Sequence, residues 1–523
     1  MAASLRQLSP PSRRIRDPFG SLAAIGLTAL VIGTLIAVAF AAGGLSALGP
    51  WDKRAVWFTI WQAALSASLS ALLAVPIARA LARRRFRGRR FLITLLGAPF
   101  ILPVIVAVIG LISVFGRSGL VNGALIPFGI GPVSIYGWQG VILAHVFFNL
   151  PLCVRMILHG WQAIPAERFR LAASLDFAPR DIGRHLERPM LREVLPGAWL
   201  AVFLVCLTSF AVALTLGGGP KATTVELAIY QAFRFDYDMG KAATLALIQV
   251  GLCLTALLAA GRVAAPAGFG AGMDREAPLP GPSGWLRVID LLIITLAAGF
   301  LLLPMIFVAW QGIPRIASLP APIWAAAARS VAMAIISAIL ALSLSLALAL
   351  AVARGRRWIE FAGMLPLVAS PLVLGTGLYL ILRPLASPMQ MALPLTVLIN
   401  AVMALPFALR ILIPAARVLR ADYGRLAESL NMTGWARLRL LTLPRLARPL
   451  GFAGGLSAAL AMGDLGVITL FANSQNATLP LKIYQLMGSY RMDDASACAV
   501  LLMLISFSLL WLFDRGGRMN AAL

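Results

Sequence analysis

Few residue types in this chain of 523 residues could carry out a reaction. The sequence holds three histidines and four cysteines, and neither type occurs at the spacing of a metal site. The cysteines all lie inside apolar stretches, where a thiol acts as a small buried side chain. Carboxylates, histidines and cysteines do not cluster at helical spacing as catalytic groups would. The sequence therefore predicts no catalytic site, no bound metal and no cofactor in this chain.

Phosphate-binding chemistry is not indicated either. No G-x-x-x-x-G-K-[ST] motif occurs, so we do not expect the chain to hold the phosphates of ATP. The run GGGPKATT at 217–224 only superficially resembles a phosphate loop. A tight structural turn is the simpler interpretation, and contact with a partner protein or a substrate phosphate is the alternative.

The composition predicts a membrane protein. The chain is 60% hydrophobic and 12% charged, whereas soluble proteins are about a quarter charged. Apolar runs of about 20 residues, the length that spans a bilayer, recur along the chain. The net charge of +25 comes largely from arginines beside the ends of these runs, most densely at 83–90. That pattern is typical of cytoplasmic loops in contact with lipid and does not indicate nucleic-acid binding.

We expect about twelve membrane-spanning helices, and the first apolar run is long enough to be a retained span. Basic residues flank both ends of the chain, and an even number of spans returns it to its starting side, so both termini should be cytoplasmic. The predicted spans lie near 20–42, 57–81, 91–115, 138–158, 198–216, 242–260, 288–310, 325–353, 361–382, 391–413, 450–471 and 495–513.

An arginine-rich polar segment occurs twice, at 168–191 and at 423–446. Both copies read R-L-A-x-S-L, then Asp or Asn, with a proline thirteen residues later. Arg170 and Arg425 are 255 residues apart, as are Pro189 and Pro444. The chain therefore contains an internal repeat centred on two polar loops.

The repeat extends into the apolar segments, where Tyr230 matches Tyr484 at a displacement of 254. Six spans per repeat is an even number, so both copies should have the same orientation in the membrane. We expect the halves to be related by a pseudo-two-fold axis along the membrane normal. The first half is assigned to 1–262, a cytoplasmic linker to 263–286 and the second half to 287–523.

Each polar loop should contain a short helix that ends at a sharp turn. Pro165 opens the first helix, and Asp176 followed by Pro179 ends it. The second helix is expected to start near Asp422, a good N-cap, and to stop at Asn431. Asp and Asn tolerate the left-handed conformation that often ends a helix. Two such helices, side by side about the pseudo-two-fold axis, would form a docking surface for a two-fold partner.

The loop spacing resembles that of ABC-importer permeases, whose pattern is E-A-A, three residues, G, nine residues, I-x-L-P. The Glu and the Gly of that pattern are replaced in both copies here. The resemblance implies that the loops bind a cytoplasmic ABC ATPase dimer, with Leu175 and Leu430 among the contacts. The matching positions are Arg170, Leu171, Ala172, Asp176, Leu186 and Pro189 in the first loop, and Arg425, Leu426, Ala427, Asn431, Leu441, Leu443 and Pro444 in the second.

Three further segments, 136–152, 216–238 and 463–491, are similar to the fused permease subunit of bacterial thiamine/thiamine pyrophosphate importers. This resemblance implies an all-α inner-membrane protein with the type I ABC importer permease fold, two parallel six-helix repeats. It also implies a separate ATPase that hydrolyses ATP, a periplasmic thiamine-binding protein as second partner, and transport by alternating access.

Asp464 falls inside the eleventh apolar run, where a charge is costly, and its repeat equivalent is Ser209. One hypothesis is that Asp464 faces the translocation path and favours a cationic thiazolium; the other is an internal ion pair, for instance with Arg410. Further path candidates are Ser209, Asn149, Tyr230 and Tyr484. Asn149 and His145 are also typical of helix–helix hydrogen bonding.

Three other functions are compatible with parts of this pattern. A ferric-iron ABC importer permease shares the fused layout and the loop spacing. A secondary transporter can also have twelve spans in two halves, but the strongest repeat match here lies in loops and not in charged helices. A membrane enzyme lacks the cluster of reactive side chains that it would need.

Overall fold

The computed structural model of the chain describes residues 18–43, 48–84, 86–89, 92–93, 96, 102–262, 284–385, 388–471 and 476–520. These residues form helices and connecting turns, and no strand occurs among them. Most of the predicted linker, 263–283, lies outside the described residues, as does much of the start of the third predicted span, 91–115.

The helices of the first half follow one another with short connections. Their bounds are α1 Pro18–Ala41, α2 Pro50–Arg83, α3 Val104–Phe115, α4 Leu120–Leu125, α5 Trp138–Ala163, α6 Ala166–Ser174, α7 Pro179–Ile182, α8 Arg188–Leu207, α9 Ala211–Leu216, α10 Val225–Arg234 and α11 Met239–Arg262. A single π-helical turn, Gly183–Glu187, joins α7 to α8.

The second half repeats this order with one long helix in place of two. Its helices are α12 Trp285–Gly312, α13 Ala321–Ala353, α14 Arg357–Met364, α15 Pro371–Leu382, α16 Pro388–Ser429, α17 Gly434–Arg437, α18 Leu443–Met462, α19 Gly466–Phe471, α20 Leu479–Gly488 and α21 Met492–Asn520. A π-helical turn again occurs, at Leu438–Thr442, between α17 and α18.

The predicted all-α membrane fold with about twelve spans is confirmed. Within the described residues, eleven helices are long and apolar enough to cross a membrane. A further pair, Arg357–Leu367 and Pro371–Leu382, is bent by 94° at a short break and makes up to twelve spans. Pro371 follows the break, and a proline there cannot donate the backbone hydrogen bond that would continue the preceding helix.

The packing follows the repeat. Helices α2, α5 and α8 pack together in the first half, and α13, α16 and α18 form the equivalent group in the second. Each half's first helix crosses over: α1 packs on α13 and α15, and α12 packs on α2 and α3. These contacts of α1 and α12 join the two halves. Buried small residues such as Ala63, Ala67 and Ala71 allow α2 to approach its neighbours closely.

Two predicted spans are not continuous. The fifth is broken at 208–210, between α8 and α9, and the eleventh is broken at 463–465, between α18 and α19. The predicted spans 198–216 and 450–471 therefore each contain a non-helical break. Apolar composition does not reveal such breaks, because the segments on both sides of each break remain apolar.

The segment between the fifth and sixth predicted spans is partly helical. It contains α10, most of whose residues are buried, including Glu226. Its counterpart α20 in the second half is likewise largely buried. Neither short helix is a membrane span, and both pack inside the helix bundle, since α10 contacts α11 and α2 while α20 contacts α21 and α13.

Candidate coupling loops and central region

The first polar loop is a short helix that presents leucines outward. Pro165, with extended backbone, follows the end of α5 and caps α6. Ala172 of α6 is buried, whereas Leu171 is 60% exposed and Leu175 is 58% exposed. The buried side holds the helix against the protein, and the two leucines, four residues apart, form an uncovered apolar edge.

The second loop also exposes two leucines four residues apart, but they lie at the end of a long helix. The helix α16 runs without interruption from the membrane to Ser429, so Asp422 does not cap a separate helix and that expectation was wrong. Ala427 is buried, and Leu426 and Leu430 are 53% and 63% exposed. The second leucine pair therefore sits on the end of a 42-residue helix, not on an independent short one.

Both helices end in the same turn, as the Asp and Asn residues predicted. Asp176 has φ of 51° and Asn431 has φ of 49°, both in the left-handed region. The next amide closes the turn: Phe177 N donates to Ala172 O at 3.0 Å, and Met432 N donates to Ala427 O at 2.9 Å. This pairing satisfies carbonyls that the helix end would otherwise leave exposed.

The segments that follow the two left-handed turns and lead into α8 and α18 also match. Each contains one π-helical turn, at Gly183–Glu187 and Leu438–Thr442, and the two turns are 255 residues apart. Pro189 and Pro444 follow them in the first turn of α8 and α18, where a missing N–H disrupts no helical bond. Both prolines are exposed. The repeat is therefore kept in backbone detail as well as in sequence.

The loops differ in how they are attached to the bundle. Glu187 is buried and forms ion pairs with Arg79, at 2.8 Å, and Arg83, at 2.9 Å, both on α2. The equivalent residue in the second half is Thr442, whose hydroxyl donates to Arg437 O at 3.2 Å within its own segment. The first loop is thus fixed by charge, and the second by the continuity of α16.

The two broken spans meet near the centre of the molecule. Phe210 lies in the first break, and a Cβ added at Gly466, beside the second break, would be 3.7 Å from the Phe210 ring. The Phe210 ring also packs edge-on against Tyr230, with centroids 5.3 Å apart. Aromatic side chains of the first half therefore reach the break of the second half.

The helices α10 and α20, which carry Tyr230 and Tyr484, are held by equivalent bonds. Val225 N donates to Thr59 Oγ1, and Leu479 N donates to Ser330 Oγ, each at 2.8 Å. Burial raises the pKa of both tyrosines above its ordinary value, and the proximity of Tyr484 raises the pKa of Tyr230 further. Both hydroxyls are therefore uncharged at neutral pH.

Asp464 lies in the second break, while Ser209 occupies the equivalent position in the first. One oxygen of Asp464, Oδ1, accepts a hydrogen bond from Gly466 N at 3.0 Å. Asn400 of α16 lines the same small cavity as Asp464. Arg410 is ten residues further along α16, about 15 Å of helix, so this arrangement does not favour the ion pair. The path role of Asp464 stays a prediction.

Asn149 is buried between helices, where its side chain is hydrogen-bonded. Its side-chain amide donates to His145 O at 2.8 Å and contacts Cys206 Sγ at 3.4 Å, and the residue is buried. His145 is also buried, with Nδ1 at 3.4 Å from Ser66 Oγ. These contacts join α5 to α8 and α2, which is the helix–helix role that was the alternative for both residues.

Two glutamines that were not among the predicted site residues donate hydrogen bonds at the first break. Gln62 Nε2 donates to Cys206 O at 3.1 Å, and Gln249 Nε2 donates to Leu207 O at 2.9 Å. These are carbonyls at the end of α8 that lose their helical partners because the helix stops there. Two glutamines inside otherwise apolar spans were the signal that could have indicated a broken helix nearby.

The architecture defines a class: a multi-span, all-α membrane protein that contains two sequence repeats, each with a polar loop at the same place. No protein-family profile matches the chain. It is 39% identical over 532 residues to the thiamine transport system permease protein ThiP of Brucella suis, covering 98% of each chain. It is 38% identical to that of Salmonella typhimurium over 483 residues, covering 89% of this chain and 90% of that one.

The permease of Haemophilus influenzae with the same name is 32% identical over 514 residues, covering 95% of each chain. These similarities extend over both halves and both loops. The chain belongs to the family of thiamine transport system permease proteins.

Proposed function

We propose that this chain is the membrane subunit of an ABC importer that carries thiamine or thiamine pyrophosphate across the bacterial inner membrane. The substrate is inferred from relatives named as thiamine transport permeases over 98% of the chain. The fused arrangement supports a complete two-half permease, since α1 and α12 each pack against the opposite half. Transport would proceed by alternating access, with ATP hydrolysis on a separate partner.

The proposal about the energy supply rests on the two polar loops. The single observation behind it is the paired exposure of Leu171 with Leu175 and of Leu426 with Leu430 on helices that end in the same left-handed turn. Apolar edges repeated at symmetry-related sites indicate a partner that is itself two-fold. We assign the docking of an ABC ATPase dimer to these edges, with Arg170, Arg425, Ala172, Ala427, Asp176, Asn431, Pro189 and Pro444 forming their support.

The arginine pattern supports placing the loop end of the bundle in the cytoplasm. Arg79, Arg83 and Arg84 lie at the same end of α2 as Glu187 of the first loop. A concentration of arginines at one end of a helical bundle is typical of the cytoplasmic side. Both termini would then be cytoplasmic. The opposite end, including 217–224, would face the periplasmic thiamine-binding protein.

The translocation path is assigned to the central region where the two breaks meet. Phe210 lies there, with its ring packed against Tyr230 and beside Gly466 at the second break, and Tyr484 lies on α20, the counterpart of the helix that carries Tyr230. Aromatic faces suit a flat cationic ring such as a thiazolium. Ser209 and Asp464 occupy the two equivalent break positions, so that only the second break carries a carboxylate.

The proposal is tested by substrate uptake. Cells that lack this chain but retain the ATPase and the binding protein should lose accumulation of labelled thiamine and regain it when the chain is restored. Restoration of ferric-iron uptake in place of thiamine uptake would indicate the other importer. Uptake that continues with a hydrolysis-deficient ATPase would indicate a secondary transporter.

A further inference from the structure

The two helix breaks are equivalent in backbone but not in chemistry. In the first half, Gln62 and Gln249 donate amides to the carbonyls of Cys206 and Leu207. The carbonyls at the same positions of the second break belong to Ala461 and Met462, 255 residues further on.

The glutamines are missing from the second half. The equivalent bonds of Thr59 and Ser330 align α2 with α13, and this alignment places Met333 where Gln62 stands. The left-handed residues Tyr237 and Tyr490 align α11 with α21, and this alignment places the buried Leu502 where Gln249 stands. Two side-chain donors that compensate the first break are therefore replaced by apolar side chains in the second.

A cavity with oxygen-rich walls lies at the place that the missing amide of Gln62 would fill. Met333, Ala461 and Met462 line it, together with Ser330, Thr396, Asn400, Asp464 and Thr478. Among the described residues, Asp464 Oδ2 and Thr478 Oγ1 are buried without a hydrogen-bond partner. The Thr396 hydroxyl donates its proton to Ala392 O at 2.7 Å, which leaves its lone pairs free for another ligand. The walls therefore offer several oxygen atoms to a ligand.

The charge of the site also differs between the halves. Asp464 brings a carboxylate to the second break, where Ser209 is neutral in the first. Hydrogen bonds from Gly466 N and from the Asn400 side chain compensate the buried Asp464 carboxylate only in part, and its charge is costly in a membrane protein unless a positive charge accompanies it. Within the described part of the chain, no three His, Cys, Asp or Glu side chains are grouped as a metal site. One carboxylate among neutral oxygens matches an ion of charge +1, not a divalent ion that would favour more carboxylates.

We propose that this cavity binds one monovalent metal cation, Na⁺, between Asp464 and the neutral oxygens of Asn400, Thr478, Ser330 and Thr396. The ion takes the place that the Gln62 amide occupies in the first half, and it compensates both the carboxylate and the backbone of the broken helix. Broken membrane helices whose freed carbonyls help to hold Na⁺ are a known physical solution. The site lies wholly in the second half, and the proposal does not depend on the identity of the transported substrate.

The test uses the purified full chain at pH 8, in NaCl or in choline chloride at equal ionic strength. The chain should bind about one ²²Na⁺, and its Tm should rise saturably with Na⁺, because a ligand that binds only the folded state stabilises it. Asp464→Asn should lose both effects. Met333→Gln, which supplies the missing amide, should raise the Tm in choline chloride and remove most of the Na⁺ dependence.

Ser209→Ala, at the equivalent position of the first break, is the matched control and should keep the full Na⁺ dependence. The proposal is overturned if the folded wild-type chain binds no ²²Na⁺ and has the same Tm in both salts, as a protonated Asp464 or a bound water would give. It is also overturned if the Asp464→Asn chain folds and responds to Na⁺ as the wild type does. If the Asp464→Asn chain does not fold, the same response in the Met333→Gln chain overturns the proposal.

Discussion

Asp176 and Asn431, 255 residues apart, adopt the same left-handed backbone conformation, with φ of 51° and 49°. Each ends a helix whose exposed leucines point away from the bundle, although one helix is nine residues long and the other is the end of a 42-residue helix. The two loops thus have the same turn, although the helices that precede it differ in length. We infer that the position of the turn, more than the length of its helix, is what the loop has to provide.

The left-handed turn predicts opposite effects for two substitutions of Asn431. Glycine has no Cβ and should support the turn at least as well as Asn, so Asn431→Gly should keep the Tm and co-purification with the ATPase. A β-branched residue is strained there by roughly 1–2 kcal/mol, so Asn431→Val should lower both. Equal tolerance of Gly and Val would show that the turn is not required.

The exposed leucine edges predict a selective loss of coupling. The double substitution of Leu175→Asp and Leu430→Asp should abolish co-purification of the ATPase, because charged groups would replace apolar contacts at both loops. The chain itself should still insert, since both leucines are solvent-exposed. Phe128→Asp, at a residue 81% exposed and outside the loops, is the matched control. Recovery of a full ATPase dimer with the double variant would refute the docking assignment.

The ion pairs of Glu187 predict that the two loops respond differently to one mutation. Glu187→Gln leaves Arg79 and Arg83 without their carboxylate and should cost up to about 3 kcal/mol, because breaking a buried pair leaves uncompensated charge. Hydrogen exchange should then increase in Ala166–Ser174 and stay unchanged around 425–430. Thr442→Val removes the hydrogen bond at the equivalent site and is the control; exchange around 425–430 should stay unchanged, because the second loop is held by the continuity of α16. Uniform exchange in both loops would contradict the proposed attachment.

The glutamine caps predict a difference between equivalent positions of the halves. Gln62→Leu should leave the Cys206 carbonyl without its side-chain donor and cost about 1–3 kcal/mol, which a lower Tm would report. Met333→Leu at the equivalent position of the second half exchanges two apolar side chains of similar volume and should have a small effect. A larger loss from the Met333 substitution would show that the first break does not need the amide.

Asp464 predicts a transport phenotype if its charge acts on a cationic substrate. Asp464→Asn keeps the size of the side chain and should lower thiamine uptake, mainly through a higher KM, while the chain remains inserted. Ser209→Ala should be close to neutral. Unchanged uptake and unchanged stimulated ATPase activity in the Asp464→Asn chain would end the path hypothesis for this residue.

The sequence predicts the all-α class, the number of spans and the left-handed stops, because apolar length and Asp or Asn at a helix end act locally. It does not predict that α16 continues past Asp422, since an N-cap residue is equally compatible with a helix surface. The breaks around Ser209 and Asp464 are also hidden. The partners at the first break, Gln62 and Gln249, are distant in sequence, and the residues that line the cavity at the second break come from several helices.

Uptake of labelled thiamine measures the central claim most directly. Cells deleted for this chain and retaining its ATPase and binding protein should accumulate little labelled thiamine. They should recover on expression of the wild-type chain and fail to recover on expression of the chain with Asp at both 175 and 430. Full accumulation without the chain, or full recovery with the double variant, would contradict the account of a thiamine permease driven through its two loops.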